Sequence, residues 1–125
     1  MIKGLFDSGA DHTCLRMEWK ERLRVPDSEC FELELTGICG KDNPIVGLAT
    51  ILHATLDGQR FKLPVTFVRE VPTDLFGRSG LVERFNVALE AGRGLTTFEW
   101  SGAQAPMAEQ FEKAWKGKIA QTSSP

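Results

Sequence analysis

The chain has few of the residues that build metal sites and disulfide scaffolds. Its 125 positions hold three cysteines and two histidines. Cys14, Cys30 and Cys39 are odd in number and widely spaced, so they fit neither a disulfide framework nor a zinc-ligand pattern. His12 and His53 complete no ligand cluster at a standard spacing, so neither a metal nor another cofactor is expected. An excess of one charge is also missing. Lys and Arg number 15 against 17 Asp and Glu, a formal net charge of −2, which gives no reason to expect nucleic acid as a partner. No apolar run is long enough to span a membrane, and the first residues lack the apolar stretch of a signal peptide. The expectation is a cytoplasmic protein with no membrane partner.

What is present is the composition of an ordinary globular domain, 42% hydrophobic and 26% charged. The length suits one domain with a modest core and no second lobe. Ile2 to Asp7 reads as the end of a strand, and Asp7-Ser8-Gly9 is turn chemistry. Thr13-Cys14-Leu15 resumes extended structure, and Arg16 to Arg24 fits a short helix broken by Pro26. From Cys30 to Thr36, Phe31, Leu33 and Leu35 alternate with Glu32 and Glu34, the pattern of a half-exposed strand.

Two long strands, Ile45 to Leu56 and Arg60 to Val68, flank Asp57-Gly58-Gln59, a hairpin turn. Phe61, Leu63, Val65 and Phe67 share one face of the second strand, and Pro64 within it predicts an edge or a bulge. Leu75 to Phe85 reads as an apolar strand end, a Gly-Arg turn and a short helical segment. Asn86 to Glu90 and Leu95 to Trp100 form a further hairpin, and Pro106 to Ile119 is an amphipathic helix before a frayed tail. The fold class expected is mostly β, with short helices and an extra C-terminal hairpin and helix. Residues 1–100 make the main domain and 101–125 a C-terminal linker, helix and tail.

The stretch GLFDSGADHTCL, from Gly4 to Leu15, carries the chemistry. An aspartate directly behind Leu5 and Phe6 risks partial burial, which is costly unless the carboxylate is paired or protonated. Cys14 lies two residues from His12, on the same strand face, but no third group orients the pair for nucleophilic catalysis. A buried structural thiol is the plainer reading.

FDSGADHTCL, the glycine-flanked LTGICG and the later LFGRSGL resemble, in that order, the three signatures of the retropepsin family of aspartic proteases. They lie about thirty and about forty residues apart, and their order is more specific than any one of them alone. The resemblance implies a single-lobe acid-protease fold over about Gly4 to Trp100. It makes Asp7 the catalytic carboxylate, with Ser8, Gly9 and Ala10 as its active-site loop. Asp11 would contact the substrate backbone and pair with Arg78 of the Gly77-Arg78 turn, a bidentate geometry that suits arginine. Gly37 and Ile38, with Gly40 beyond Cys39, would form the tip of a substrate-covering flap.

One aspartate cannot perform this chemistry, whereas two carboxylates sharing a proton can. The chain has only one Asp-[Ser/Thr]-Gly, so the second must come from another copy. The resemblance therefore implies a homodimeric endopeptidase acting on extended peptides, with no cofactor. A dimerisation or peptide-binding module that keeps the fold without turnover is the alternative. In the family a strand and hairpin of roughly twenty residues precede the aspartate and close a sheet edge that would otherwise be open to pairing. Six residues precede Asp7 here. The readings left open are a mis-assigned start, a fragment, or replacement by the C-terminal hairpin and helix.

Taken singly, Arg78 would be a solvated charge and Ile38 an exposed apolar tip. Trp19, Trp100 and Trp115 read as packing anchors, Glu32 and Glu34 as a solvated strand face, and His53 as a partly exposed strand residue.

Overall fold

The longest ladder of the protein turns on two residues. Asp57 and Gly58 both take positive φ, 52° and 73°, the type I′ geometry whose twist matches the flanking strands. They join β4 (Ile45–Leu56) to β5 (Gln59–Val68) in antiparallel register from Leu56↔Gln59 to Leu48↔Phe67. The structure is a computed structural model and describes residues 2, 4–7, 9–35, 44–90, 92 and 95–122.

Four more strands extend this hairpin into a mixed sheet. Its order is β1 (Leu5–Phe6), β6 (Leu75–Phe76), β2 (Thr13–Arg16), β5, β4 and β3 (Phe31–Leu35). A second, two-stranded sheet pairs β7 (Phe85–Glu90) with β8 (Leu95–Trp100). The helices described are α1 (Glu18–Arg22) and α2 (Pro106–Thr122), with a 3₁₀ turn at Asp27–Glu29. The class is mostly β, as the strand periodicities imply. Among the described residues, no helix is long and apolar enough to cross a membrane.

The register explains the packing, because cross-strand partners share a face. Phe61, Leu63, Val65 and Phe67 line one face and are all buried, together with Leu15, Leu81 and Phe85. The β7–β8 hairpin covers this side: the Phe61 ring meets Phe85 at 5.3 Å, and Phe85 meets Trp100 at 5.2 Å. On the opposite face Phe31, Ala49, Thr66 and Cys14 lie in register across four strands. Here α2 docks, with the Phe111 ring tilted against Phe31 at 5.9 Å and Glu112 paired with Lys62 at 2.7 Å. Covered on both faces, β5 is the centre of the molecule. Glu32 and Glu34 stay exposed, as their alternation implies.

Three details depart from the sequence reading. Pro64 produces no bulge, because Ile51 faces it in an unbroken ladder. Pairing with β2 begins one residue later, at Thr13↔Val65, so the proline sits just outside that second ladder. The segment after Gly77 is a run of turns rather than a helix. Gly80 takes φ +79°, which a right-handed helix cannot accommodate, and a Cβ there would press on Pro64. Helix α2 continues three residues past Ile119, through Ala120 and Gln121, which are good helix formers. The proposed flap residues Gly37, Ile38, Cys39 and Gly40 lie outside the described residues, as does Ser8.

Candidate active site

The short strand β6 decides the geometry of the Asp7 loop. It runs parallel to β1 on one side (Leu5↔Leu75, Phe6↔Phe76) and antiparallel to β2 on the other (Cys14↔Leu75). Residues 7–12, which connect β1 to β2, must therefore cross the end of β6. Main-chain bonds fix that crossing. The Asp7 N–H donates to the Phe76 carbonyl at 2.9 Å, the Arg78 N–H to Ala10 at 3.0 Å, and the Ser79 N–H to Asp11 at 2.8 Å. Beneath them the Gly77 N–H donates to the buried Thr13 hydroxyl at 3.1 Å. Gly77 has to be glycine, since a Cβ would run into the His12 backbone.

Asp7 itself is exposed in the single chain. Its Oδ1 accepts the Gly9 N–H at 2.9 Å, and its carbonyl accepts the Ala10 N–H at 3.1 Å, which curls the loop so that the carboxylate stands at its tip. Gly9 differs from Gly77. Among the described residues a Cβ there would meet only Asp7 Oδ1, at an ordinary 3.4 Å. Nothing within the described chain demands a glycine at position 9.

Asp11 and Arg78 do meet, through one bond from Arg78 Nη2 to Asp11 Oδ1 rather than the bidentate geometry expected. The side chains are 59% and 46% exposed, so the ion pair clasps the loop from the solvent side. Two motifs about seventy residues apart are thus joined by main-chain bonds from Asp7, Arg78 and Ser79 and by side-chain bonds at Thr13 and Asp11.

His12 forms the loop's inner surface. Its ring lies 5.3 Å from Phe111 of α2, and its Nδ1 is buried with no hydrogen-bond partner among the described residues. Burial pushes the imidazole pKa down, partly offset by the nearby Asp11 and Glu83 carboxylates. Cys14 is buried, as a structural thiol would be. Among the described residues, no three His, Cys, Asp or Glu side chains gather as a metal site.

Two carboxylates that the sequence did not single out hold this region together. Asp74, buried, accepts from Arg16 and Trp19. Glu83 takes the N–H groups of Gly80 at 2.9 Å, Met107 at 2.6 Å and Ala108 at 3.0 Å. It caps α2 from a distant turn, because Ala105 ahead of the helix has no side chain to do so. An isolated Asp or Glu in a turn carries no sequence signal for such a role.

The class that fold and site define is a mostly-β domain presenting the exposed Asp7 on a clamped loop. Comparison of the chain with protein-family models, with characterised proteins and with solved structures finds no match.

Proposed function

We propose that the chain is a retropepsin-like aspartic endopeptidase, active as a two-fold homodimer that hydrolyses extended peptides. The observation that carries the reading is the clamped loop: Asp7 at the tip of a turn that Arg78 and Ser79 tie down through Ala10 and Asp11. That clamp joins two of the three resembling motifs, residue by residue. The surroundings of Asp7 are also consistent with a partner. Leu5, two positions away, is 62% exposed, and among the described residues a Cβ on Gly9 would meet only Asp7 Oδ1.

In this proposal the two Asp7 carboxylates meet across the axis and share one proton, because like charges in contact do not both ionise. The ionised carboxylate takes a proton from a water, which adds to the scissile carbonyl carbon. The protonated one donates to the carbonyl oxygen. Collapse of the tetrahedral adduct expels the amine, which takes up a proton as it leaves. Asp11 and Ala10 hold the loop in place, and Gly37 and Ile38 are assigned the flap tip on the resemblance alone.

The test is a library of extended peptides read by mass spectrometry between about pH 4 and 7, the range where carboxylate dyads work. The parent should cleave with a bell-shaped, acidic profile, and activity should fall faster than linearly on dilution, since dissociation dismantles the site. Asp7→Asn should abolish turnover and leave the fold intact, because the amide oxygen still accepts the Gly9 N–H. Cleavage that persists in Asp7→Asn overturns the mechanism. A dimer that binds peptides at every pH without cutting them is the non-catalytic module instead.

A further inference from the structure

Asp74 is 1% exposed, and the proposed chemistry makes no use of it. A carboxylate is costly to bury unless its oxygens meet donors. Both do so here. Oδ1 accepts the Arg16 N–H at 2.9 Å and Arg16 Nε at 3.4 Å. Oδ2 accepts Trp19 Nε1 at 2.9 Å and Arg16 Nη2 at 3.4 Å. The Asp74 carbonyl accepts the Leu5 N–H at 2.9 Å. Gly4 allows that approach, since a Cβ on it would collide with the same carbonyl.

One residue is therefore bonded to β1, to the end of β2 and to α1. The first two are the arms of the loop that carries Asp7, and the residues after Asp74 form β6, the strand that this loop crosses. Phe76, two residues on, receives the Asp7 N–H. We propose that Asp74 is the positioning residue of the Asp7 loop. Its carboxylate ties the start of β6 to β2 and α1, its main-chain carbonyl ties it to β1, and together they set where the Asp7 carboxylate stands. It touches no substrate. The positioning claim stands on these bonds, and only its kinetic consequence rests on the peptidase reading.

Asp74→Asn is the informative change. The amide keeps the shape and one acceptor oxygen, which can still serve the Arg16 N–H. Its NH₂ group then faces the Trp19 N–H and the guanidinium, donor against donor. The full chain, Asp74→Asn, Trp19→Phe and the double variant are compared by amide exchange. Exchange at Leu5 and Asp7 is referenced to the amides of the β4–β5 hairpin, and kcat and KM are read on a cleaved library peptide. In Asp74→Asn, exchange at Leu5 and Asp7 should rise about ten- to a hundredfold relative to the hairpin. The kcat should fall by a similar factor while KM moves less than about threefold. The double variant should recover part of both effects, because Trp19→Phe removes one opposing donor.

Exchange at Leu5 and Asp7 that rises only in step with the hairpin, or a double variant no better than Asp74→Asn, makes Asp74 a stabiliser of the fold and overturns the proposal. A parent that cleaves nothing while the local exchange effect holds removes the peptidase reading and leaves the positioning role standing. If Asp74→Asn does not fold, Trp19→Phe decides by itself. It must raise exchange at Asp7 at least about threefold above the hairpin, and failure to do so overturns the proposal.

Discussion

Arg78→Ala tests the clamp on the Asp7 loop, and the structure sets its size. Removing one partner of a buried ion pair costs about 3–5 kcal/mol, whereas a solvent-exposed pair contributes about 0–1. With side chains 46% and 59% exposed, Arg78 and Asp11 fall in the second class in the single chain. The main-chain bonds from Arg78 to Ala10 and from Ser79 to Asp11 do not depend on the guanidinium and survive the change. The cost to an isolated chain is thus about 1 kcal/mol or less. For a domain of this size that lowers Tm by about 2–5 °C.

In the proposed dimer, any burial of the pair by the partner moves the cost toward the larger value. The assay is thermal unfolding of parent and Arg78→Ala over about a hundredfold range of concentration, because only a dimer makes Tm concentration-dependent. The gap between the two should be small at the dilute end and widen as concentration rises. Arg78→Lys should behave like the alanine variant at the concentrated end, since it keeps the charge and loses the planar fork. A drop of more than about 10 °C in the dilute sample would show that exposure has been misjudged as a guide to the pair's worth. Identical melting at every concentration would mean that the pair contributes nothing, and would undo the correspondence of Gly77-Arg78 with the family motif.

Two further outcomes are expected from the residues around the loop. Burial lowers the His12 pKa from its ordinary 6.5, so the unfolded chain takes up a proton there before the folded one does. Stability is therefore lost as pH falls from about 6.5 toward the folded pKa, and His12→Gln should flatten that part of the profile in urea unfolding between pH 7 and 5. Asp27 and Glu112, whose pKa values lysine partners lower, lose their contribution only below about pH 4.5 and do not overlap this window. Equal pH slopes in parent and variant would refute the assignment to His12. Glu83→Ala strands the N–H groups of Gly80, Met107 and Ala108. It should cost about 2–3 kcal/mol in urea unfolding and speed exchange in the first turn of α2, and a loss below about 0.5 kcal/mol would refute the capping role.

The strands and the central hairpin follow from local residue pattern. Period-two alternation places Phe61, Leu63, Val65 and Phe67 on one face, and Asp57-Gly58 is among the few pairs that accept positive φ twice in succession. These are local properties, readable within a window of a few residues. The pairing of Asp11 with Arg78 was also legible, through the resemblance of two motifs rather than through any local rule.

The fold as a whole is needed to bring distant segments together. It set the exposure of that ion pair, and with it the difference between about 1 and about 4 kcal/mol. It brought Asp74 to Arg16 and Trp19, and Glu83 to the start of α2. It also turned the expected helix after Arg78 into a run of turns, because Gly80 must pass close to Pro64 with positive φ. A lone carboxylate in a turn carries no periodicity and no spacing that marks its partner. Only the folded chain, by withdrawing water from it, forces it to find one.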